Sequence, residues 1–271
     1  MTMIRRAQLT LALGFSLLTS GTLPGLAAQC EPAGGFQAWI KSFKAEHSGL
    51  SKRTLATLDG LTLDQKVLRL DRNQRHFKQS FEQFSASRIT QGRITKGRAM
   101  LKRYADVLAR IERQYGVPPQ IIVAIWGLET DYGTNMGKQD ALRSLATLAY
   151  DCRRTDMFQR ELTAALQIIE RGDLKPSEMR GAWAGELGQT QFLPSNYLRF
   201  AVDYTGDGRR DLIRSVPDVL ASTANYLKGH GWVAGAGWGP GQPNFAVLRE
   251  WNRAEVYART IGAFADRLAG K

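Results

Sequence analysis

Metal-binding side chains are scarce in this sequence. Three His and two widely separated Cys among 271 residues give no zinc-ligand cluster, which needs three or four such groups converging on one ion. Internal repeats are absent, which excludes a solenoid or propeller. No low-complexity linker divides the chain, and strand signals are weak. Beyond residue 28 no stretch is apolar enough to cross a bilayer. No aromatic-and-basic motif of the kinds that read nucleic acid occurs. What is left is a mostly helical globular chain, with an ordinary 43% hydrophobic and 23% charged residues. It is long enough for one large domain or two modest ones.

The first 28 residues differ from the rest. Arg5 and Arg6 precede an apolar run at 9–18, and Gly25-Leu26-Ala27-Ala28 follows. A charged start, a short apolar run and small residues form the pattern of a secretory signal peptide, cut after Ala27 or Ala28. An uncleaved anchor is the competing reading, but the run is too short to span comfortably. Cys30 invites a lipoprotein reading, yet Gln29 stands where a small residue is expected. The expectation is a soluble, monomeric protein exported to the periplasm, with no transmembrane anchor after signal cleavage. Of the net charge of +12, Arg5 and Arg6 carry two, so +10 remains. That balance favours a polyanionic partner. Export argues against nucleic acid, whereas an anionic polymer of the cell envelope fits charge and compartment alike. Export also permits a disulfide, and two cysteines allow one intramolecular pairing, Cys30–Cys152. Two free buried thiols are the alternative.

Helical periodicity dominates the remainder. Phe36, Trp39, Ile40 and Phe43 recur at i, i+3, i+4 and i+7. Leu55, Leu58 and Leu61 mark a second, short helix. The polar stretch 64–90 reads as a helix, a turn and an extended segment wrapping the core. Leu101, Tyr104, Leu108, Ile111 and Tyr115 mark one long helix that stops at Gly116. Pro118 and Pro119 open the next, since Pro is tolerated in a first turn. Further helices are expected at 139–150, 156–171, 195–203, 216–229 and 252–268. Gly-rich residues 181–191 and 231–245 are the best places for irregular or short β structure.

Four segments can carry chemistry. Residues 121–133 read IIVAIWGLETDYG, a greasy run ending in a single carboxylate, Glu129. Partial loss of water raises the pKa of such a group and lets it hold a proton near neutral pH, as a glycosidase general acid must. An exposed Glu at a helix end is the plain alternative. Residues 181–200 read GAWAGELGQTQFLPSNYLRF. There Gln189 and Gln191 can bond N-acetyl groups and hydroxyls, and Trp183, Phe192 and Tyr197 offer faces to sugar rings, unless the loop packs these into the core. In 203–211, DYTGDGRRD, the side chains of Asp203, Thr205 and Asp207 and the Arg209 carbonyl have the spacing of the first half of an EF-hand loop. Position 12 is Arg214 rather than Glu, so the closing carboxylate would have to be Asp218. Ser215 and Asp218 equally form a helix-capping box, and a metal-free turn competes. In 250–258, EWNRAEVYA, Asn252 can bond a substrate or cap a helix, because Glu255 stands three residues on.

Together these segments resemble the soluble and membrane-bound lytic transglycosylase B family of peptidoglycan-cleaving enzymes. The resemblance runs from about Phe36 to the end. It rests on 116–119 (GVPP), 125–133 (IWGLETDYG), 185–195 (GELGQTQFLPS), 201–208 (AVDYTGDG), 224–227 (ANYL), Trp251-Asn252 and Tyr257-Ala258. It implies a mainly α (α+β) protein: a lysozyme-like catalytic core at 111–271, a flanking helical part at 29–110 and a small irregular or β part. Helix 252–268 is expected to pack back on the helical part. The match implies Glu129 as catalytic acid. Gln191, Phe192 and Tyr226 would line the sugar cleft, Asn252 and Tyr257 would orient the muramyl residue, and Tyr132 and Trp251 complete the substrate-binding set. Asp203, Thr205, Asp207, Arg209 and Asp218 would form a structural calcium loop. Trp251 stands where the family often has Tyr, Ala254 where it often has Ser, and Ala182 where other members place a cleft Ser.

The reaction implied needs one carboxyl group and no cofactor. Glu129 would protonate the glycosidic oxygen between N-acetylmuramic acid and N-acetylglucosamine, then deprotonate the muramyl C6 hydroxyl as that hydroxyl closes a 1,6-anhydro ring. A hydrolytic muramidase would need a second carboxylate across the cleft. Asp131 and Glu186 are the candidates, with Asp131 expected to face elsewhere on the helix. A non-catalytic module that binds glycan strands is the third reading.

Overall fold

The computed structural model describes residues 28–73 and 79–271. All of the signal segment but Ala28 lies outside the described residues, as do residues 74–78. Among the described residues six α-helices lead to the centre of the molecule: α1 (Gly35–Glu46), α2 (Lys52–Leu55), α3 (Gln65–Arg72), α4 (Phe81–Arg88), α5 (Gln91–Arg103) and α6 (Ala105–Tyr115). After α7 (Pro119–Thr130) come α8 (Ala141–Tyr150), α9 (Thr155–Glu170), α10 (Pro194–Phe200), α11 (Val216–Gly229), α12 (Pro243–Trp251) and α13 (Glu255–Leu268). Strands β1 (Gln139–Asp140) and β2 (Arg180–Gly181) pair antiparallel, Gln139 opposite Gly181 and Asp140 opposite Arg180.

The sequence of α7 explains its position. It is apolar on every side, and all residues from Ile121 to Leu128 are buried. A helix without a polar face must be enclosed by others. Accordingly α13, α5, α11 and α6 pack around it. Those neighbours are amphipathic: α6 buries Leu108, Ile111 and Tyr115, and α13 buries Ile261, Phe264, Ala265 and Leu268. α6 must end at Gly116, whose φ of +74° suits glycine, and a Cβ there would lie 2.8 Å from that of Ala234. α8 and α9 form an antiparallel pair that carries α10. One continuous hydrophobic core links Trp39 and Phe43 of α1 to Phe264 of α13.

Cys30 is bonded to Cys152 in the turn between α8 and α9. Ion pairs surround that turn. Asp71, buried at the end of α3, accepts from Arg153 at 2.6 Å and from Arg154, while Arg72 donates to Asp151 at 2.5 Å. No helix among the described residues is long and apolar enough to cross a membrane.

Local structure departs from the sequence reading in five places. The long helix through 101–115 breaks at Tyr104, which ends α5 and starts α6. The stretch 64–90, read as a helix, a turn and an extended segment, ends instead in the helix α4, opened by a capping box between Ser80 and Gln83. Residues 231–242 are irregular as expected, but Pro243 then opens α12, a helix masked by the glycines before it. The last helix begins at Glu255 rather than 252, and the helix read at 195–203 stops at Phe200.

Candidate active site

Glu129 sits in the last turn of α7, which Asp131 and Tyr132 terminate with left-handed backbones (φ 50° and 60°). Two other elements converge on its carboxyl group. Trp251, the last residue of α12, donates Nε1–H to Oε1 at 2.9 Å, and Tyr257, in the first turn of α13, donates its hydroxyl to the same oxygen at 2.8 Å. The side chain remains partly open. Burial on the protein side pushes its pKa up to about 7, overcoming the lowering by the Trp251 and Tyr257 donors, and the nearby Glu186 carboxylate adds to the rise. The Tyr257 phenol is itself driven well above its ordinary value, chiefly by burial. At neutral pH this site therefore holds a carboxyl group divided between acid and base forms, the condition for general acid–base catalysis.

An aromatic wall stands beside it. Trp251 meets Tyr226 edge-on at 4.9 Å and Phe192 at 5.5 Å, with Phe192 and Tyr226 5.7 Å apart. The Tyr226 hydroxyl donates to the Glu250 carbonyl, which fixes the ring against the end of α12. Phe192 is placed by the loop after β2, where bridges Gly181–Leu187 and Leu187–Phe192 fold residues 181–192 into a compact hook. Gly181 is required there, because a Cβ would lie 1.6 Å from the Glu186 carbonyl oxygen. Glu186 is partly buried, Oε2 accepting from the Ala184 amide at 3.1 Å, and burial raises its pKa. On the far side Phe84 of α4 approaches Tyr257 at 6.1 Å. Sequence reasoning did not connect α4 with this site; its apolar Phe81 and Phe84 in a polar stretch were the available signal.

Glu129, Trp251, Tyr257, Phe192 and Tyr226 are thus brought together. Gln191 borders the hook with a left-handed backbone (φ 52°), and its amide donates to the Gly188 and Met136 carbonyls, leaving Oε1 as its outward group. Asn252 does not cap α13. Its Oδ1 accepts from the Ala254 amide at 3.0 Å, making the turn between α12 and α13, because the chain must reverse before Glu255. Tyr132 corrects the sequence reading. Its ring is buried edge-on to Trp126, against Gly127, and its hydroxyl donates to the Arg93 carbonyl, so it ties α5 to α7 and offers no face to a ligand. Gln189 is likewise internal, accepting from the Trp126 indole at 2.9 Å and donating to the Ile213 carbonyl. Tyr197 is buried with its hydroxyl on the Arg210 carbonyl. Asp131 faces α5, where Arg93 and Lys96 pair with it.

The loop beginning at Asp203 lies apart from Glu129 in the bonding pattern. Asp203 accepts from the amides of Gly206, Asp207 and Gly208 at 2.7, 3.1 and 2.8 Å. Asp207 accepts from the Arg209 amide at 2.9 Å. Asp218 is fully buried, and it spends Oδ1 on the Tyr204 and Thr205 amides and Oδ2 on the Asp211 amide. Ser215, not Asp218, caps α11. Nearby, Arg209 and Arg214 pair with Glu178, Arg210 with Asp173 and Arg214 with Asp211. The carboxylates of Asp203, Asp207 and Asp218 accept from backbone amides here. Among the described residues no three His, Cys, Asp or Glu side chains are grouped to hold a metal ion. Asp218, which the calcium reading needs as its closing ligand, is taken up by three amides.

Known proteins are similar to this chain in sequence and in fold. The family described as "Transglycosylase SLT domain" matches residues 35–242. The Escherichia coli (strain K12) protein "Membrane-bound lytic murein transglycosylase B" is 42% identical over 164 residues. That stretch is 58% of this chain and 45% of the relative, so less than half of the relative is matched. SltB3 from Pseudomonas aeruginosa, in complex with NAG-NAM-pentapeptide, superimposes with a TM-score of 0.83 at 31% identity, over 87% of this chain and 80% of that one. The Escherichia coli lytic transglycosylase Slt35 in complex with calcium does so with 0.76 at 28% identity, over 90% and 96%. The fold is that of the lytic transglycosylases, mainly helical around a lysozyme-like core. With the family's own pattern spanning most of its length, the chain belongs to the transglycosylase SLT family.

Proposed function

We propose that this protein is an exported, periplasmic lytic transglycosylase that cuts the β-1,4 bond between N-acetylmuramic acid and N-acetylglucosamine in peptidoglycan. The observation that carries the reading is Glu129: a carboxyl group with its pKa raised to about 7, held by two neutral donors beside an aromatic wall. Protonated Glu129 gives its proton to the glycosidic oxygen, and the N-acetylglucosamine unit leaves with that proton. Positive charge develops at the muramyl C1. The carboxylate then takes the proton of the muramyl C6 hydroxyl, whose oxygen bonds to C1 and closes the 1,6-anhydro ring. Glu129 ends as it began, and no water is consumed. Trp251, the half-buried ring of the wall, offers its face to the sugars with Phe192 and Tyr226 packed against it, the Gln191 carbonyl and Asn252 amide offer polar contacts, and Tyr257 orients the acid. The net positive charge suits an anionic wall polymer. Support for the substrate class comes from SltB3, whose complex holds a NAG-NAM-pentapeptide.

No cofactor enters this reaction. The loop at 203–218 serves in this reading as a metal-independent clamp, closed by its own amides and the arginine pairs around it. A hydrolytic second reading has one observation in its favour, the Glu186 carboxyl close enough for its charge to act on Glu129. The test is mass spectrometry of muropeptides released from purified peptidoglycan. Anhydromuramyl ends that vanish with Glu129→Gln support the proposal; reducing ends that vanish with Glu186→Gln support hydrolysis.

A further inference from the structure

The two donors on Glu129 are not shared between its oxygens. Trp251 Nε1–H and the Tyr257 hydroxyl both end on Oε1, at 2.9 and 2.8 Å. A carboxylate oxygen offers about two acceptor positions, so Oε1 is filled. Oε2 has no hydrogen-bond partner among the described residues and is not sealed from solvent. The two donors differ in kind. A phenol can turn its hydrogen away and accept a proton's hydrogen bond from Oε1. An indole N–H has no acceptor site and cannot make that exchange. Placing the proton on Oε1 would set O–H against N–H and leave the indole unpaired in a partly buried site, which is costly.

We propose that Trp251, working with Tyr257, is a positioning residue that keeps Oε1 aprotic and makes Oε2 the single oxygen through which the proton leaves and returns. The inference rests on Glu129 being the acid of the preceding section. In both half-reactions the O–H bond that breaks and the O–H bond that re-forms are on Oε2, so leaving oxygen and C6 hydroxyl must be served from one side of the carboxyl group. Charged and titratable groups facing this pair are few: Glu186 from the hook acts on Glu129, and Arg88 of α4 and Arg93 of α5 act on Tyr257.

The experiment is a carbon-13 NMR titration of the glutamate side-chain carboxyls in wild type, Trp251→Phe, Trp251→Tyr and Tyr257→Phe, with the Glu129 signal assigned by its loss in Glu129→Gln. It reads Glu129 directly and needs no turnover, so it is separable from failure of the proposed reaction, which muropeptide analysis of wild type decides. Loss of a donor to the carboxylate should raise the midpoint in Trp251→Phe and in Tyr257→Phe, while Trp251→Tyr should stay nearer wild type. The pH–rate profile of glycan cleavage should move the same way, with kcat lowered about tenfold or more in Trp251→Phe. Should Trp251→Phe fail to fold, Trp251→Tyr and Tyr257→Phe still decide. An unmoved midpoint in the Phe variant that folds, or a Tyr variant as shifted as Trp251→Phe, overturns the assignment.

Discussion

Glu129 combines a desolvated carboxyl group with two donors that favour its ionised form, and burial prevails. The acid step needs the protonated group, so activity should be full below pH 7 as far as Glu129 is concerned and should fall as pH rises through about 7. Stability follows the same sign. A folded pKa above the ordinary 4.5 means the contribution is present below that value and is lost as pH rises through about 7. Glu129→Gln keeps the shape and both acceptor contacts but has nothing to ionise. It should therefore abolish cleavage, by a factor of about 10³ or more, and melt at a higher temperature than wild type at pH 8. The difference amounts to up to about 3 kcal/mol there and little at pH 4. A wild-type advantage at pH 8 would contradict the raised pKa. The lone carboxylate after an apolar run was legible from residues 121–129. Its partners were not, because Trp251 and Tyr257 lie 122 and 128 positions away and only the packing of α12 and α13 joins them. Tyr132 was misread for the opposite reason. The resemblance placed it in the substrate-binding set, but the left-handed turn after α7 swings its ring back into the core.

Among elements, the loop from Asp203 to Asp218 shows how far spacing can be trusted. Its carboxylates stand where an EF-hand has them, yet they are committed to amides, with Asp218 alone holding three. Millimolar calcium and a chelator should accordingly give the same melting curve. Asp218→Ala should destabilise by on the order of 3 kcal/mol in both, since three amides lose a charged acceptor. A calcium-dependent rise in melting temperature that Asp207→Ala removes would restore the metal site. Helices with strong signals, α1, α7, α9 and α11, were legible within a few residues, because periodicity and N-terminal Pro or Ser residues state their faces and starts. α4 and α12 were not: one is polar along most of its length, and the other follows a glycine-rich stretch, so tertiary contacts with α13 and α11 decide them.

At the level of the whole molecule, the Cys30–Cys152 bond ties the beginning of the described chain to the α8–α9 turn across 122 positions. Thiol titration of the denatured, unreduced protein should find no free thiol. Replacing both cysteines by Ser should cost about 4–5 kcal/mol on a chain-entropy estimate for so long a loop. Two titratable thiols would mean the bond does not form. The helical class and the lysozyme-like core were legible because the motifs at 116–133, 185–195 and 201–208 occur in one order along the chain. The convergence of the end of α7, the hook after β2 and the turn between α12 and α13 could be seen only in three dimensions. The central claim concerns chemistry at that junction: one carboxyl group, no water consumed. Mass spectrometry of muropeptides from peptidoglycan incubated with the purified protein tests it most directly. The account predicts glycan products ending in 1,6-anhydromuramic acid, one water lighter than their hydrolysed counterparts and absent with Glu129→Gln. Products ending in reducing N-acetylmuramic acid would contradict it.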